Sequence, residues 1–305
     1  MPFDLTILGS NSAAPAHSRH QSAQLLQVEN YYFLIDCGEG TQMQISRYRA
    51  KLNRINNIFI SHLHGDHYLG LVGLISTMHL RQREADLNIY GPAGLAEIVT
   101  LQLKHAQTIL NYKIIFHPLD DQRPLTILDN ELLTVTTIPL NHRIPCTGFL
   151  FREKPKRKKI NKAKIDDNFS VDTIIKLKNG EDILDEDGKV KYSNTDYTLP
   201  AKKSRSYAYC SDTIYDPGLV ESIKEVDLLY HESTFLSDKE QRAAETYHST
   251  AEQAAMIAKQ AKVKQLILGH YSIRYKDLGP LLIEAKAVFA STKLAIEGER
   301  ISVPD

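Results

Sequence analysis

Four side chains that commonly bind metal ions stand within six residues of each other in the first quarter of the chain. The segment His62-Leu63-His64-Gly65-Asp66-His67 directly follows Ile58-Phe59-Ile60, a short apolar strand, and Ser61. Imidazole nitrogens and carboxylate oxygens are ligands that catalytic zinc accepts. A loop from a strand into a helix can direct the first two histidines to one ion, and the aspartate and last histidine to another. The pattern therefore favours a pair of divalent cations over a helix cap with surface histidines.

Four ligands cannot complete two metal sites, so other parts of the chain must supply further donors. Three candidates, His142, Asp212 and His270, each stand just after a predicted strand. A sheet would hold side chains at its strand ends rigidly. Each residue alone is typical of an ordinary loop, but their common placement indicates one shared site.

The elements that must position these residues are strands and helices in alternation. The N-terminal part predicts a strand over Leu5–Ser10 and a hairpin over Ala23–Asp36. Later segments predict strands at 87–90, 227–231 and 264–269 and helices at 92–105 and 250–262. We therefore expect sheets flanked by helices.

Length and composition are those of an ordinary globular protein. The 305 residues are 42% hydrophobic and 24% charged, which predicts one large domain over 1–305. No apolar run approaches the roughly 18 residues of a membrane span, and no leader pattern is visible at the start. The cysteines Cys37, Cys146 and Cys210 are scattered without a Cys-x-x-Cys pair, which disfavours disulfides and a cysteine zinc site. These features predict a cytoplasmic protein that does not contact membranes.

Charge is balanced overall but not locally. Lys plus Arg equals Asp plus Glu at 37 each, so net charge does not indicate nucleic acid binding. Between Arg152 and Lys164, however, eight basic residues stand against the single acid Glu153, a local charge of +7. From about 152 to 203 the apolar periodicity fades and only turn-like segments remain. Such a stretch is unusual in a compact domain, so we predict an inserted basic arm, with disorder or a merely solvated segment as the alternatives.

The metal-ligand pattern is similar to that of the metallo-β-lactamase superfamily, and further segments resemble its ribonuclease Z family. These segments are Phe33-Leu34-Ile35-Asp36-Cys37-Gly38-Glu39-Gly40-Thr41-Gln42, Ser61 to Leu71, Asn141-His142-Arg143-Ile144-Pro145-Cys146-Thr147-Gly148, Tyr209-Cys210-Ser211-Asp212-Thr213, His231-Glu232-Ser233-Thr234 and Gly269-His270-Tyr271-Ser272-Ile273-Arg274-Tyr275. The resemblance implies an α/β fold, the metallo-β-lactamase αββα sandwich, with an inserted protruding arm. It also implies a homodimeric endoribonuclease acting on precursor tRNA.

The resemblance also assigns roles to single residues. It implies two Zn²⁺ per subunit, with His62, His64 and His142 on one ion, Asp66, His67 and His270 on the other, and Asp212 bridging them. Two cations lower the pKa of a water held between them and neutralise charge at phosphorus. Asp66 is the expected proton acceptor, and His248 is expected near the leaving oxygen, oriented by Glu232 or His231. Helix capping at Ser249 or Thr250 is the alternative explanation for the segment around His248.

Two further sets of residues are predicted to act around the metals. Asp36 is expected to steady the metal loop through hydrogen bonds. The basic residues predicted to bind RNA phosphates without reading sequence are Lys154, Lys156, Arg157, Lys158, Lys159 and Arg274. The chain departs from the family in its arm, where Val171-Asp172-Thr173-Ile174-Ile175 replaces an expected Gly-Pro-rich element. Ile273 also stands where a small residue is common.

The predicted reaction is removal of the 3′ trailer from precursor tRNA, leaving a 3′-hydroxyl on the tRNA and a 5′-phosphate on the trailer. An enzyme with the same metals that hydrolyses small phosphodiesters or sulfate esters is the alternative. A non-catalytic RNA-binding module is a third possibility, and the complete ligand set argues against it.

Overall fold

A computed structural model describes residues 2–120, 122–165 and 169–304 of the chain. The first part of the chain contains strands β1 Phe3–Gly9, β2 Ala23–Val28, β3 Tyr31–Ile35, β4 Ile55–Phe59, β5 Leu87–Gly91 and β6 Ile114–Pro118, with helices α1 Thr41–Arg47, α2 Gly65–Tyr68, α3 Leu71–Leu80 and α4 Gly94–His105. The second part contains strands β7 Thr126–Asp129, β8 Leu133–Leu140, β9 Cys146–Glu153, β10 Lys159–Ile160, β11 Ile183–Leu184, β12 Val190–Tyr192, β13 Thr198–Leu199, β14 Ser206–Cys210, β15 Leu228–Glu232, β16 Gln265–Gly269, β17 Thr292–Leu294 and β18 Arg300–Ser302, with helices α5 Val171–Asn179, α6 Asn194–Tyr197, α7 Leu219–Ser222, α8 Glu240–Glu245, α9 Ala251–Gln260 and α10 Gly279–Val288. Single 3₁₀ turns lie at Leu52–Arg54 and Ser237–Lys239. The predicted strands and helices are present, with ends that differ by up to three residues; the largest difference is at β4, which begins at Ile55 rather than Ile58.

Two large sheets organise these elements. The first has the strand order β18-β1-β2-β3-β4-β5-β6 and the second has β17-β16-β15-β14-β9-β8-β7. Strands β3 to β6 run parallel to one another, and so do β14 to β17. In open sheets with parallel strands, ligands bind beyond the carboxyl ends of the strands. The fold therefore offers a cleft at that edge.

The sheets pack face to face through aromatic side chains. The rings of Phe33 and Phe151 lie 5.6 Å apart between their centroids, and those of Phe59 and Phe149 lie 5.3 Å apart. Along β3, alternate residues such as Leu34 point to the other face, because successive side chains of a strand alternate. That outer face forms a second apolar cluster with α1, α3 and α4.

Helices α7, α9 and α10 cover the outer face of the second sheet. Helix α9 buries four alanines, Ala251, Ala254, Ala255 and Ala258. Small side chains at this spacing let a helix backbone lie close against the strands. The result is the αββα sandwich of the metallo-β-lactamase fold, as predicted. Within the described residues, no helix is both long enough and apolar enough to cross a membrane.

The insertion between β9 and β14 begins slightly later than predicted. Arg152 and Glu153 are the last residues of β9 and pair with β14 and β8 respectively. The inserted segment, called the arm below, therefore comprises residues 154–204, of which 166–168 lie outside the described part. Backbone pairing continues through the start of the basic run, so Arg152 and Glu153 belong to the sheet and the predicted arm follows them.

The arm also has more regular structure than the sequence pattern indicated. Strand β10 pairs with β13 and β11 pairs with β12. Helix α5 begins after Ser170, whose side chain accepts a hydrogen bond from the Thr173 amide, and it ends at Gly180 with a φ of 98°. Both are strong helix-terminus signals. The interpretation of this stretch as turns alone is therefore wrong over Val171–Asn179.

Candidate metal centre and active site

The seven predicted ligands meet at the carboxyl edge shared by the two sheets. They are His62 and His64 in the loop after β4, Asp66 and His67 in α2, His142 after β8, Asp212 after β14 and His270 after β16. Glycine allows this convergence at Gly38, where an added Cβ would lie 2.5 Å from the backbone oxygen of Asp66. The backbone of the α2 turn can approach the β3–α1 loop only because that position has no side chain.

The first group of donors consists of three histidines and one carboxylate, with ligand atoms all within 4.8 Å of one another. His64 Nδ1 lies 3.0 Å from His62 Nε2 and 3.1 Å from His142 Nε2. Asp212 Oδ2 lies 3.6 Å from His62 Nε2. A tetrahedral zinc ion with metal–nitrogen distances of roughly 2.0–2.1 Å has donor atoms about 3.3 Å apart. The group therefore has the dimensions of a tetrahedral metal site.

The second group has the same dimensions. Asp66 Oδ2, His67 Nε2 and His270 Nε2 are separated by 3.3 to 3.4 Å. The other carboxylate oxygen of Asp212, Oδ1, lies 3.4 Å from His67 Nε2 and 3.2 Å from His270 Nε2. One oxygen of Asp212 thus faces each group. The donor set fits two adjacent metal ions bridged by this aspartate.

Contacts behind the ligands hold the imidazole rings in place. The second nitrogen of each of four rings meets a polar atom: His62 Nδ1 is 3.0 Å from Ser61 Oγ, His67 Nδ1 2.7 Å from Asp36 Oδ2, His142 Nδ1 2.9 Å from Tyr247 O, and His270 Nδ1 2.9 Å from Thr234 Oγ1. Such partners set ring orientation and leave the other nitrogen free to bind a metal.

Asp36 is the most heavily bonded of these supports. It is fully buried and accepts hydrogen bonds from the Ser61 amide at 2.7 Å, the Ser61 hydroxyl at 2.9 Å and the Tyr209 hydroxyl at 2.6 Å. Its φ of 55° is in the left-handed region, which costs a residue with a side chain of the order of 1 kcal/mol or more. The predicted role of Asp36, holding the metal loop without belonging to either donor group, agrees with these contacts.

Electrostatics prepare the same residues to bind cations. Burial alone would raise the pKa of Asp212, but the nearby His270 and His67 outweigh it and hold that pKa well below its ordinary value. The pKa of Asp66 is lowered in the same way by His67 and His270. Burial lowers the pKa of His62, and neighbouring histidines lower it further. Ionised carboxylates and neutral imidazoles are the protonation states that bind a divalent metal, so the pKa shifts of Asp66, Asp212 and His62 favour binding. The pKa of His67 is shifted the other way: burial would lower it, but the carboxylates of Asp66, Asp212 and Asp36 outweigh burial and raise it. The ring of His67 must therefore release a proton when a metal binds.

His248 stands beside both groups. It borders a cleft of about 350 Å³ that is also lined by His64, Asp66, Asp212 and His270. Its Nδ1 is 2.8 Å from Glu232 Oε1. Burial would lower the pKa of His248, but the Glu232 carboxylate outweighs it and raises the pKa to about 9. His248 is therefore placed to carry a proton at the cleft.

Glu232, rather than His231, is the residue that orients His248. The ring of His231 is fully buried, and its Nδ1 contacts the backbone oxygen of Glu232. Helix capping explains the role of Thr250, which forms the capping box of α9 with Gln253. It does not explain the position of His248.

Besides Ser61 and Tyr247, three more supports of the site have no role predicted from the sequence. The amide of Ala13 donates to Asp66 Oδ2 at 2.8 Å, Tyr209 donates to Asp36, and Thr234 contacts His270. Ala13 has a φ of 53° in the loop after β1, and no sequence signal marks it. Thr234 could have been found from its place in the His-Glu-Ser-Thr segment. Tyr209 could have been found from its place at the end of β14, three residues before Asp212.

The predicted RNA-binding residues fall into two places. Arg274 lies beside the metal cleft, with its guanidinium carbon 5.5 Å from the centre of the Phe235 ring. The other five residues, Lys154, Lys156, Arg157, Lys158 and Lys159, line a cavity of about 740 Å³ at the root of the arm. Strand β9 separates that root from the cleft, and its seven residue steps span roughly 23 Å.

Three of these five residues already have partners within the chain. Lys154 pairs with Asp129, Lys156 Nζ lies 2.6 Å from Glu153 Oε2, and Lys158 donates to Asn194. Arg157 and Lys159 are exposed. These two are the side chains of the five that are most accessible to a polyanion.

Comparison with known families identifies relatives over the whole chain. A family model described as Beta-lactamase superfamily domain matches residues 146–271, and one described as Anti-Pycsar protein Apyc1 matches residues 3–160. A ribonuclease Z from Cytophaga hutchinsonii is 52% identical over 305 residues, covering 100% of this chain and 97% of the relative. A ribonuclease Z from Bacteroides thetaiotaomicron is 48% identical over 302 residues, covering 99% and 95%.

A solved structure extends the likeness to three dimensions. The crystal structure of human tRNase Z, short form, aligns with a TM-score of 0.73 and 30% sequence identity, covering 99% of this chain and 100% of that one. Neither chain leaves a large segment unmatched.

Proposed function

This chain belongs to the ribonuclease Z family of the metallo-β-lactamase superfamily, and from that premise we propose how its cleft cuts RNA. The enzyme is a metal-dependent endoribonuclease of tRNA 3′ processing. The observation that carries the mechanism is the pair of tetrahedral donor groups joined by the two oxygens of Asp212. The enzyme cuts so that the tRNA keeps a 3′-hydroxyl and the trailer keeps a 5′-phosphate.

The metals in this proposal are two zinc ions per subunit. His62, His64 and His142 would hold one, Asp66, His67 and His270 would hold the other, and Asp212 would serve both. Nitrogen-rich tetrahedral donor sets favour zinc among biological divalent ions. Two bound cations would lower the pKa of a water between them and stabilise charge on the phosphoryl oxygens.

The protein's own groups handle the protons. Asp66 accepts the proton of the attacking water, which two bound cations would make more acidic. The bond that breaks joins phosphorus to the 3′-oxygen of the tRNA, because the phosphate stays with the trailer. His248 donates a proton to that oxygen, and Glu232 holds its ring in position.

The arm supplies affinity for tRNA in this proposal. Arg157 and Lys159, with the lysines around them, engage backbone phosphates, which suits recognition of a folded RNA by shape. The excess of cations lining the cavity at the root of the arm supports this assignment. Arg274 contacts a phosphate or base beside the cleft.

A homodimer in the cytoplasm completes the proposal. Apolar side chains are exposed on α1 and at the end of α3, where Met43 is 64% exposed and Leu80 76%. Such side chains are typical of an interface between subunits. Cys37, Cys146 and Cys210 are all free and buried, which agrees with a reducing compartment.

Cleavage of a 3′-extended tRNA transcript tests the proposed function. The zinc-loaded protein should make one cut near the discriminator nucleotide, leaving a 3′-hydroxyl and a 5′-phosphate. Asp66→Ala should abolish the cut. Asp238→Ala, which removes an exposed aspartate that belongs to neither donor group, should not. If the protein hydrolysed small phosphodiesters but left the transcript intact, the small-molecule alternative would replace this proposal.

A further inference from the structure

A second pocket adjoins the metal cleft on the side of His248. Its volume is about 310 Å³, and it shares Ser12, Ala13, Arg143 and His248 with the cleft. Its far wall is formed by Phe235, Arg242 and Arg274. Ligand pockets range from roughly 300 to 1,000 Å³, so this one is large enough for a single nucleotide unit and too small for a duplex.

The chemistry of the products decides which nucleotide can lie there, if the proposed function holds. Hydrolysis attaches the oxygen of water to phosphorus and releases the 3′-oxygen of the tRNA, which takes a proton. In that scheme His248 faces the departing 3′-oxygen. The space beyond His248 must therefore receive the nucleoside that carries this oxygen, and the trailer must leave in another direction.

The far wall of the pocket is suited to a nucleobase. Phe235 is only 4% exposed, and the Arg274 guanidinium lies over its ring with 5.5 Å between the guanidinium carbon and the ring centre. A guanidinium held against a ring on one face offers a flat cationic surface on the other, and RNA-binding proteins stack unpaired bases on such surfaces. The Arg274 side chain is exposed, so that surface is open.

The remaining cations suit the backbone of the same nucleotide. Arg143 is exposed and borders both the cleft and the pocket. Arg242 also lines the pocket, and its Nη1 lies 3.2 Å from Glu245 Oε2 in an exposed ion pair. Guanidinium groups bind phosphate in a directed, often bidentate way.

We propose that this pocket binds the nucleotide left at the 3′ end of the mature tRNA, with its base stacked on Arg274 and its 5′-phosphate held by Arg242. The inference rests on the proposed function. It assigns a recognition site to the last retained nucleotide, and it places the cut by holding the 3′-oxygen beside His248.

A chemical double-mutant cycle tests the proposal. Two precursors are prepared, one with an abasic site at the last retained nucleotide and one with an abasic site at the first trailer nucleotide. kcat/KM is measured for each with wild type, Arg274→Ala and the control Lys276→Ala, which removes a nearby exposed cation outside the pocket. In wild type, the abasic site on the tRNA side should lower kcat/KM roughly 5- to 100-fold, the range expected for a base stacked on a side chain.

The coupling between the two changes is the decisive result. With Arg274→Ala the abasic site on the tRNA side should cause no further loss, since the stack is already gone, whereas Lys276→Ala should behave as wild type. Arg274→Lys keeps the positive charge but lacks the planar guanidinium, so it should also lose the coupling. Melting temperatures equal to that of wild type would exclude unfolding of the variants.

Three results would overturn the inference. Losses that multiply would show that Arg274 and the base act independently, and coupling to the trailer base instead would place the trailer in the pocket. In both cases wild-type cleavage would leave the proposed function standing. Failure of wild type to cut the intact precursor would overturn both.

Discussion

Replacing Tyr209 by phenylalanine should weaken metal binding although Tyr209 belongs to neither donor group. Its hydroxyl donates to Asp36 Oδ2 at 2.6 Å, and the same oxygen lies 2.7 Å from His67 Nδ1. Loss of the hydroxyl frees Asp36 to move and so loosens the ring that carries a metal-binding nitrogen. The ion in the group of Asp66, His67 and His270 should be the one affected.

The expected size of the effect follows from the bonds that remain. Changes to partners behind metal ligands cost roughly 10- to 100-fold in metal affinity. After Tyr209→Phe, Asp36 still accepts from the amide and the hydroxyl of Ser61. We therefore expect an effect at the lower end of this range. The affinity for one of the two ions should fall about tenfold, which corresponds to about 1.4 kcal/mol of binding free energy.

Chelator competition on the zinc-loaded protein measures this change directly. Titration with a chromogenic chelator should resolve two ions in wild type. In Tyr209→Phe one of them should be released at an about tenfold lower concentration of free chelator. The readout does not depend on RNA cleavage. It therefore separates metal binding from any loss of activity.

Tyr207→Phe is the matched control. Tyr207 lies on the same strand and is equally buried, but its hydroxyl donates to Gln24 and not to Asp36. Tyr207→Phe loses one bond to an amide oxygen, whereas Tyr209→Phe loses a bond to a carboxylate and a longer one to Ser211 Oγ. Both melting temperatures should fall, that of Tyr209→Phe by more. The reasoning is refuted if both variants lose metal equally, or if Tyr209→Phe holds both ions as tightly as wild type does.

Three further predictions follow from other parts of the molecule. Asp212→Ala should lower the bound metal of the purified protein from two ions towards none, measured by elemental analysis, because one carboxylate serves both groups; retention of one full equivalent would contradict the bridge. Replacing Arg157 and Lys159 together by alanine should reduce the slope of log affinity for tRNA against log salt by about 1 to 2, measured by filter binding, since each phosphate contact contributes close to one; an unchanged slope would remove these residues from the interface. Burial would raise the pKa of Glu153, but hydrogen bonds from Arg205 and Lys156 outweigh it and lower that pKa. Its contribution to stability is therefore present above the pKa of the unfolded state and lost as pH falls through the lower folded value. Glu153→Gln should lower the free energy of unfolding in urea more at about pH 7 than at about pH 4, close to the ordinary pKa of glutamate; equal losses at both pH values would contradict this.

The seven donor residues could be found in the sequence because their positions follow from local rules. His62 and His64 lie in the loop after β4, and Asp66 and His67 lie in the short helix that follows it. His142, Asp212 and His270 each follow another strand. Strand ends that share one edge of a sheet must approach each other once the sheets form. Resemblance to a family then divided the donors between two ions, and the distances around Asp212 agree with that division.

The arm shows where local patterns failed. Its amphipathic helix is short and capped by Ser170 and Gly180, but the surrounding lysines and turn residues concealed it. The basic run is evident in the sequence, but its position in the fold is not. Only the pairing of β9 with β14 places that run at the root of the arm, away from the cleft.

The amino-acid sequence by itself determined the ligand types, their order and the strands that deliver them, because each of these depends on neighbours along the chain. Tertiary structure alone decided that the Ala13 amide binds Asp66, that Tyr209 supports Asp36, and that Arg274 packs on Phe235. Each of these contacts joins residues at least 39 positions apart. Their geometry depends on how the sheets and loops pack, and no periodicity in the sequence encodes that packing.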